Sequence, residues 1–224
     1  IRLSLVGSEM CIRDRPMPDV VPLSGLIAIL RGIRPEECVA VGQVLYAAGL
    51  RVIEVPLNSP QPFDSVRRLR DSLPPDCRVG GGTVLRPEDV DRLHEAGADL
   101  IVMPHGDPSV IRAAVQAGMA CAPGVATPTE AFAALAAGAT ALKLFPAEQL
   151  APAVLKAWRA VLPPQVPLLP VGGITPETMA PYLEAGARGF GLGSALYKPG
   201  LAADEVAPRA QAFQRAWLDW NATH

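Results

Sequence analysis

Residues 135–146 read LAAGATALKLFP, a helical pattern that closes on a Gly and runs straight into a short apolar stretch. Four more segments are built the same way: YAAGLRVIEVP (46–56), HEAGADLIVMP (94–104), VQAGMACAPG (115–124) and LEAGARGFGLG (183–193). Their glycines fall at 49, 97, 118, 138 and 186, so the intervals are 48, 21, 20 and 48. A unit of twenty to twenty-four residues fits all four if each interval of 48 hides one more unit. Both hidden units are visible, CRVGGGT (77–83) and VPLLPVGG (166–173), and the opening run GLIAIL (25–30) brings the expected strands to eight. A fixed period of this kind marks repeated supersecondary units.

The physics of one unit holds throughout. A Gly just past a helix end takes the left-handed cap conformation at little steric cost. The strands that follow are continuous apolar runs, as expected of parallel strands covered on both faces. Between them lie helical patterns opened by Pro with an acid close by: RPEECVAVGQVLYAAG (34–49), LRPEDVDRLHEAG (85–97), GDPSVIRAAVQAG (106–118), TPTEAFAALAAG (127–138) and ITPETMAPYLEAG (174–186). Pro at the first helical position and an acid near the positive helix end both favour a start there. Strand, helix and strand at this spacing mean βαβ units, and eight of them in about 175 residues close into a small (β/α)8 TIM barrel. One domain is expected over 17–224, ending on a helix near 204–220. A doubly wound open sheet is the alternative, weakened because no G-x-G-x-x-G opens a helix after the first strand.

Composition narrows the function classes. Half of the 224 residues are hydrophobic, enough for a sizeable core. With 20 basic against 22 acidic residues the net charge is −2, which lacks the electrostatic footprint of a nucleic-acid binder. Gly and Pro break every apolar run before the roughly 18 residues of a membrane span, so no membrane partner is expected. Four scattered cysteines, Cys11, Cys38, Cys77 and Cys121, form no C-x-x-C pair and have three histidines to join them. Neither a metal site nor a disulfide framework is expected; reduced thiols point to the cytoplasm. The opening IRLSLVGSEMCIRDR lacks the apolar core of a signal peptide, so residues 1–16 are taken as a non-native or disordered leader and Met17 as the start.

Chemistry in such a barrel gathers at the C-terminal strand ends. There the chain presents Arg31, Glu54, Thr83, His105, Lys143, Gly172-Gly173 and Gly193-Ser194. Lys143 is one of three lysines among 20 basic residues; Lys156 lies in a polar helical pattern and Lys198 in a Lys-Pro-Gly turn. Lys143 alone sits inside an apolar strand, where burial lowers an amine's pKa and yields a nucleophile suited to Schiff-base chemistry. A snorkelling or ion-paired strand lysine is the structural alternative. Glu54 in RVIEVP is a second strand-embedded charge; a salt bridge to Lys143 would explain both, and so would a general acid/base beside the amine. Arg31 can grip a carboxylate, or make an ordinary surface salt bridge. The Gly-Gly and Gly-Ser turns let backbone N–H groups approach an anion, with a following helix N-terminus expected to add favourable field. Plain loop geometry is the alternative. His94 belongs to a helix, His224 is terminal, and a loop histidine such as His105 is more often structural.

The segments ILRGI (29–33), EVPLNSP (54–60), GGGTVL (80–85), PGVATPTEA (123–131), LKLFPAE (142–148), VGGI (171–174) and GFGLGSALYKPG (189–200) together closely resemble the 2-keto-3-deoxy-6-phosphogalactonate aldolases. These belong to the wider family that includes 2-keto-3-deoxy-6-phosphogluconate aldolase. The resemblance covers roughly residues 22–215, in order and without large gaps. It implies a metal-independent class I aldolase without a cofactor, on a (β/α)8 barrel assembled as a homotrimer. Such an enzyme cleaves a phosphorylated keto-deoxy sugar acid to pyruvate and D-glyceraldehyde 3-phosphate. By the same resemblance Lys143 is the Schiff-base lysine and Glu54 the proton shuttle. Arg31 and Thr83 join Lys143 in binding substrate, and Gly172, Gly173, Gly193 and Ser194 hold its phosphate.

The chain departs from the pattern at three positions, two of which matter. Asn58 stands where the gluconate branch has Arg, and Val171 where it has Thr before the Gly-Gly pair. Both favour the galactonate branch and make Val171 a candidate selector. Gly81 replaces the commoner Ala, a change expected to be neutral. Other classes remain open on the residues alone. An isomerase or a thiamine-phosphate synthase would use the Gly loops without needing Lys143. A non-catalytic phosphosugar-binding barrel would need neither Lys143 nor Glu54.

Overall fold

A computed structural model describes residues 23–223; the leader assigned to 1–16, Cys11, Met17 and His224 lie outside the described residues. Strands and helices alternate: β1 (Gly25–Ile29), α1 (Pro35–Ala47), β2 (Val52–Pro56), α2 (Pro62–Ser72), β3 (Arg78–Gly82), α3 (Pro87–Glu95), β4 (Leu100–Val102) and α4 (Pro108–Gln116). Then come β5 (Ala120–Ala122), β6 (Gly124–Val125), α5 (Pro128–Ala136), β7 (Leu142–Leu144), α6 (Pro152–Arg159), β8 (Leu168–Pro170), α7 (Met179–Glu184), β9 (Gly189–Leu192) and α8 (Ala203–Thr223). Each of α1–α6 opens on a Pro, whose missing N–H would have had no helical partner anyway. In α5 the start is reinforced on both sides: Glu130 N–H donates to Thr127 Oγ1, and Thr127 N–H donates to Glu130 Oε2. The five repeat glycines at 49, 97, 118, 138 and 186 all have left-handed φ, between 69° and 104°, as helix caps require.

The result is an α/β fold around a curled, all-parallel sheet. One sheet has the order β5-β4-β3-β2-β1-β9 and the other β6-β7-β8. They meet along both margins. At one, β5 and β6 are successive pieces of a single strand divided at Pro123. Pro123 has no N–H for the ladder, and its carbonyl accepts from Lys143 N–H, whereas the Ala122 carbonyl accepts from Met103 N–H. The expected fifth strand is therefore two short ones. At the other margin a parallel bridge joins Val171 to Gly191. The helix expected over ITPETMAPYLEAG begins instead as a 3-10 turn, Pro176–Thr178, before α7; Thr175 N–H donates to Thr178 Oγ1 and tightens that start.

Strand side chains alternate between two faces. Outward residues such as Ile53, Val79, Ile101 and Leu142 join the helices in one large core. Inward residues, among them Ile27, Val52, Leu100, Ala120, Ala141 and Leu169, form a second, smaller one. Glu54 and Lys143 lie two residues beyond Val52 and Ala141, so the same alternation turns both charges inward.

Gly81 shows what the departure from Ala entails. A methyl there would stand 2.4 Å from Leu93 Cδ1 and 2.7 Å from its Cδ2, because Leu93 of α3 already fills that space. Gly81→Ala should therefore destabilise by about 1–3 kcal/mol, the usual overpacking range, and Leu93→Val in the same chain should restore most of it. Denaturant midpoints of the two single variants and the double variant check this; an unaltered midpoint in Gly81→Ala would show that Leu93 yields freely.

Candidate active site

Glu54 is central in β2, paired in register with Ile29 and Gly80, and is 1% exposed. Lys143 is central in β7, paired with Gly124 and Leu169, and is 5% exposed. Both border a small cavity of about 10 Å³ whose other walls include Ile29, Val102, Ala122 and Val171. That volume is close to the least that holds one water molecule. Of the two accounts of these charges, the salt bridge is not formed: no ion pair among the described residues joins Glu54 to Lys143. Glu54 Oε2 is buried with no hydrogen-bond partner.

β3 makes this arrangement possible. A Cβ on Gly82 would stand 1.7 Å from Glu54 Oε2, so only the bare backbone of Gly82 leaves room for the carboxylate. Burial pushes the Glu54 carboxyl up to about 7, with Lys143 and then Arg31 pulling back. Burial likewise pushes the Lys143 amine down; Glu54 opposes that shift and Arg31 adds to it. The Lys143 Nζ also lies 4.6 Å from the centre of the Phe145 ring. An acid poised near neutrality and an amine freed of some of its proton affinity are suited to proton transfer and nucleophilic attack.

Above them opens a cleft of about 530 Å³, lined by Arg31, Lys143, Val171, Gly173, Ser194 and Lys198 among others. Arg31 is aimed by its partners: Nη1 donates to Asn58 Oδ1 at 2.6 Å and to Thr83 Oγ1 at 3.3 Å. Thr83 borders Arg31 rather than the cleft wall, and its φ of 55° is unusual for a β-branched residue. Such strain costs roughly 1–3 kcal/mol and gathers at functional sites. The loop bearing Arg31 is pinned by Gly32 N–H, which donates to Ser59 Oγ.

Gly172, Gly173, Gly193 and Ser194 also line the cleft. Among the described residues, the N–H groups of Gly173, Ile174, Gly193 and Ser194 have no protein acceptor, which leaves them free for an anion. The helical field expected there is weak. A 3-10 turn follows the Gly-Gly pair, and a turn closed by Leu196 and Tyr197 N–H on the Gly193 carbonyl follows Ser194. His105 is exposed and outside the cleft lining, and His94 lies in α3.

Some lining residues carried no assigned role in the sequence. Phe145 and Glu148 stand in LKLFPAE, and Tyr197 and Lys198 in GFGLGSALYKPG, both motifs of the resemblance. Asn58 marked a departure but gave no sign that it would hold Arg31. Among the described residues no group of three His, Cys, Asp or Glu side chains is placed to hold a metal ion, and no helix is long and apolar enough to cross a membrane.

Comparison with known proteins gives the family. Residues 19–210 match the family model of KDPG and KHG aldolases. The chain is 49% identical over 192 residues to a probable 2-dehydro-3-deoxy-6-phosphogalactonate aldolase of Rhizobium meliloti, covering 86% of this chain and 91% of that protein. It is 47% identical over 194 residues to the 2-dehydro-3-deoxy-6-phosphogalactonate aldolase of Escherichia coli, covering 87% and 95%. A solved structure described as native KDPGal superposes with a TM-score of 0.88 at 45% identity, over 92% of this chain and all of that one. The chain belongs to the KDPG and KHG aldolase family.

Proposed function

We propose that the chain is a class I aldolase that cleaves 2-keto-3-deoxy-6-phosphogalactonate to pyruvate and D-glyceraldehyde 3-phosphate. The observation that carries the reading is the burial of an unpaired lysine and an unpaired glutamate against one apolar cavity beneath an anion-ready cleft. A non-catalytic sugar-binding protein would gain nothing from either buried charge. Relatives named for the galactonate epimer, at 47–49% identity, favour it over the gluconate epimer.

In this reading Lys143 attacks the C2 keto carbon, and loss of water gives an iminium. That cation accepts the electron pair of the C3–C4 bond as it breaks. Glu54, through a water, takes the C4 hydroxyl proton as the aldehyde leaves. The remaining enamine takes a proton at C3, and hydrolysis frees pyruvate and the lysine. Arg31, aimed by Asn58 and Thr83, is suited to the substrate carboxylate. The N–H groups around Gly172-Gly173 and Gly193-Ser194 suit the phosphate, whose remote binding orients the bond to be cleaved. Pairing along both margins of the sheet supports a closed (β/α)8 barrel as one domain over 17–224. The resemblance to the family supports a homotrimer in the cytoplasm.

Lys143→Met should abolish cleavage and borohydride trapping of pyruvate while leaving a folded chain; trapping that persists would move the Schiff base elsewhere. Glu54→Gln should still trap pyruvate but lose roughly 10²–10⁴-fold in kcat, and a loss under about tenfold would demote Glu54 to a structural residue. Because Glu54 must be ionised to accept a proton, kcat/KM should climb with pH through about 7. An acid limb confined to the ordinary glutamate range would contradict the buried-carboxyl account. The same raised value means that folding stability held below pH 4.5 declines as pH rises through about 7, so Glu54→Gln should melt no lower than wild type at pH 8.

Val171 borders both the cavity and the cleft, between the reacting groups and the Gly-Gly pair. The two epimers differ at C4, whose hydroxyl must meet Glu54. Val171→Thr should shift the ratio of kcat/KM toward the gluconate epimer by about five- to a hundredfold, the worth of one hydrogen bond in a dry site. An unaltered ratio would pass the selector role to Asn58.

A further inference from the structure

The Gly172-Gly173 and Gly193-Ser194 turns of the cleft offer an anion backbone N–H groups with little helical field behind them. An acid makes matters worse there. Cβ atoms on Gly172 and Gly173 would stand 2.2 Å from Glu148 Oε2 and 2.9 Å from Glu148 Cγ, so this side chain lies along the same two glycines. A phosphate monoester brings nearly two negative charges into that place. Apart from Arg31 and Lys143, Lys198 is the one Lys or Arg among the residues lining the cleft, and among the described residues no ion pair engages it.

The backbone that carries Lys198 is fixed. On one side Tyr197 is 3% exposed, and its N–H is bonded to the Gly193 carbonyl of the phosphate turn. On the other, Pro199 packs so closely on Gly32 that a methyl there would meet its Cγ at 2.6 Å. The side chain between these anchors is exposed at the cleft mouth.

We infer that Lys198 is a substrate-binding residue that supplies the positive charge for the phosphate and offsets Glu148, so that phosphorylated substrates are favoured over unphosphorylated ones. This rests on the aldolase reading and extends its phosphate end. A compact ammonium on a flexible stem suits the task, since it can follow the phosphate as a point charge without fixed geometry.

The test compares 2-keto-3-deoxy-6-phosphogalactonate with its unphosphorylated counterpart in wild type, Lys198→Gln, Lys198→Arg and Glu148→Gln. Lys198→Gln should raise KM for the phosphorylated substrate roughly ten- to thirtyfold with kcat held, and leave the unphosphorylated one unaffected. Lys198→Arg should retain wild-type KM, and Glu148→Gln should lower it. Added salt should weaken binding of the phosphorylated substrate less in Lys198→Gln than in wild type. Calorimetric titration of inorganic phosphate should show the same loss of affinity in Lys198→Gln, without any need for turnover. An unaltered KM and phosphate affinity, or an equal loss on both substrates, would overturn the proposal. Pyruvate trapping on Lys143 separates the two readings: trapping in wild type with no effect of Lys198→Gln sinks this inference alone, whereas no trapping in wild type sinks the aldolase reading.

Discussion

The desolvation of two ionisable groups governs this molecule. A carboxyl and an amine are held in an apolar interior without being allowed to neutralise each other as an ion pair. Water would return each to its ordinary proton affinity; burial brings the acid close to neutrality and lowers the base. The parallel sheet supplies that burial. Its helices cover the outer face, its own aliphatic side chains fill the inner one, and the strand ends open on one side. The same sheet that buries the two groups thus turns both inward.

Around this centre the polar parts are arranged as supports. Asn58 and Thr83 set the direction of Arg31, Ser59 holds the adjacent Gly32 backbone, and Gly82 gives up a side chain so that Glu54 fits. Asn58, Ser59 and Gly82 serve the proposed mechanism only through the groups that they position. A change at Gly82 would be felt at the carboxylate, although Gly82 bears no chemistry of its own.

The periodic part of the fold could be read directly. Helix starts at Pro and helix ends at Gly depend on local backbone preference, so Pro35, Pro87, Pro128 and the five capping glycines marked their elements without tertiary information. Lys143 and Glu54 were legible for a related reason: a charge in an apolar run is conspicuous. Long-range pairing decided what stayed hidden. The division of the fifth strand depends on Pro123 sitting where one ladder hands over to the next, and the meeting of Glu54 and Lys143 at one cavity depends on how β2 and β7 face each other. The hold of Asn58 on Arg31 joins residues 27 apart, and Glu148 reaches the Gly-Gly turn from another loop. No local pattern could announce either.

With three lysines in the chain, the side-chain titration of Lys143 can be followed by NMR after selective labelling. The account predicts one lysine signal that titrates below the ordinary lysine value, is missing from Lys143→Met, and moves lower still in Glu54→Gln, since Glu54 is what holds it up. A spectrum in which no lysine titrates below that value, or in which Glu54→Gln leaves the low signal where it was, would contradict the claim that one apolar interior sets both groups.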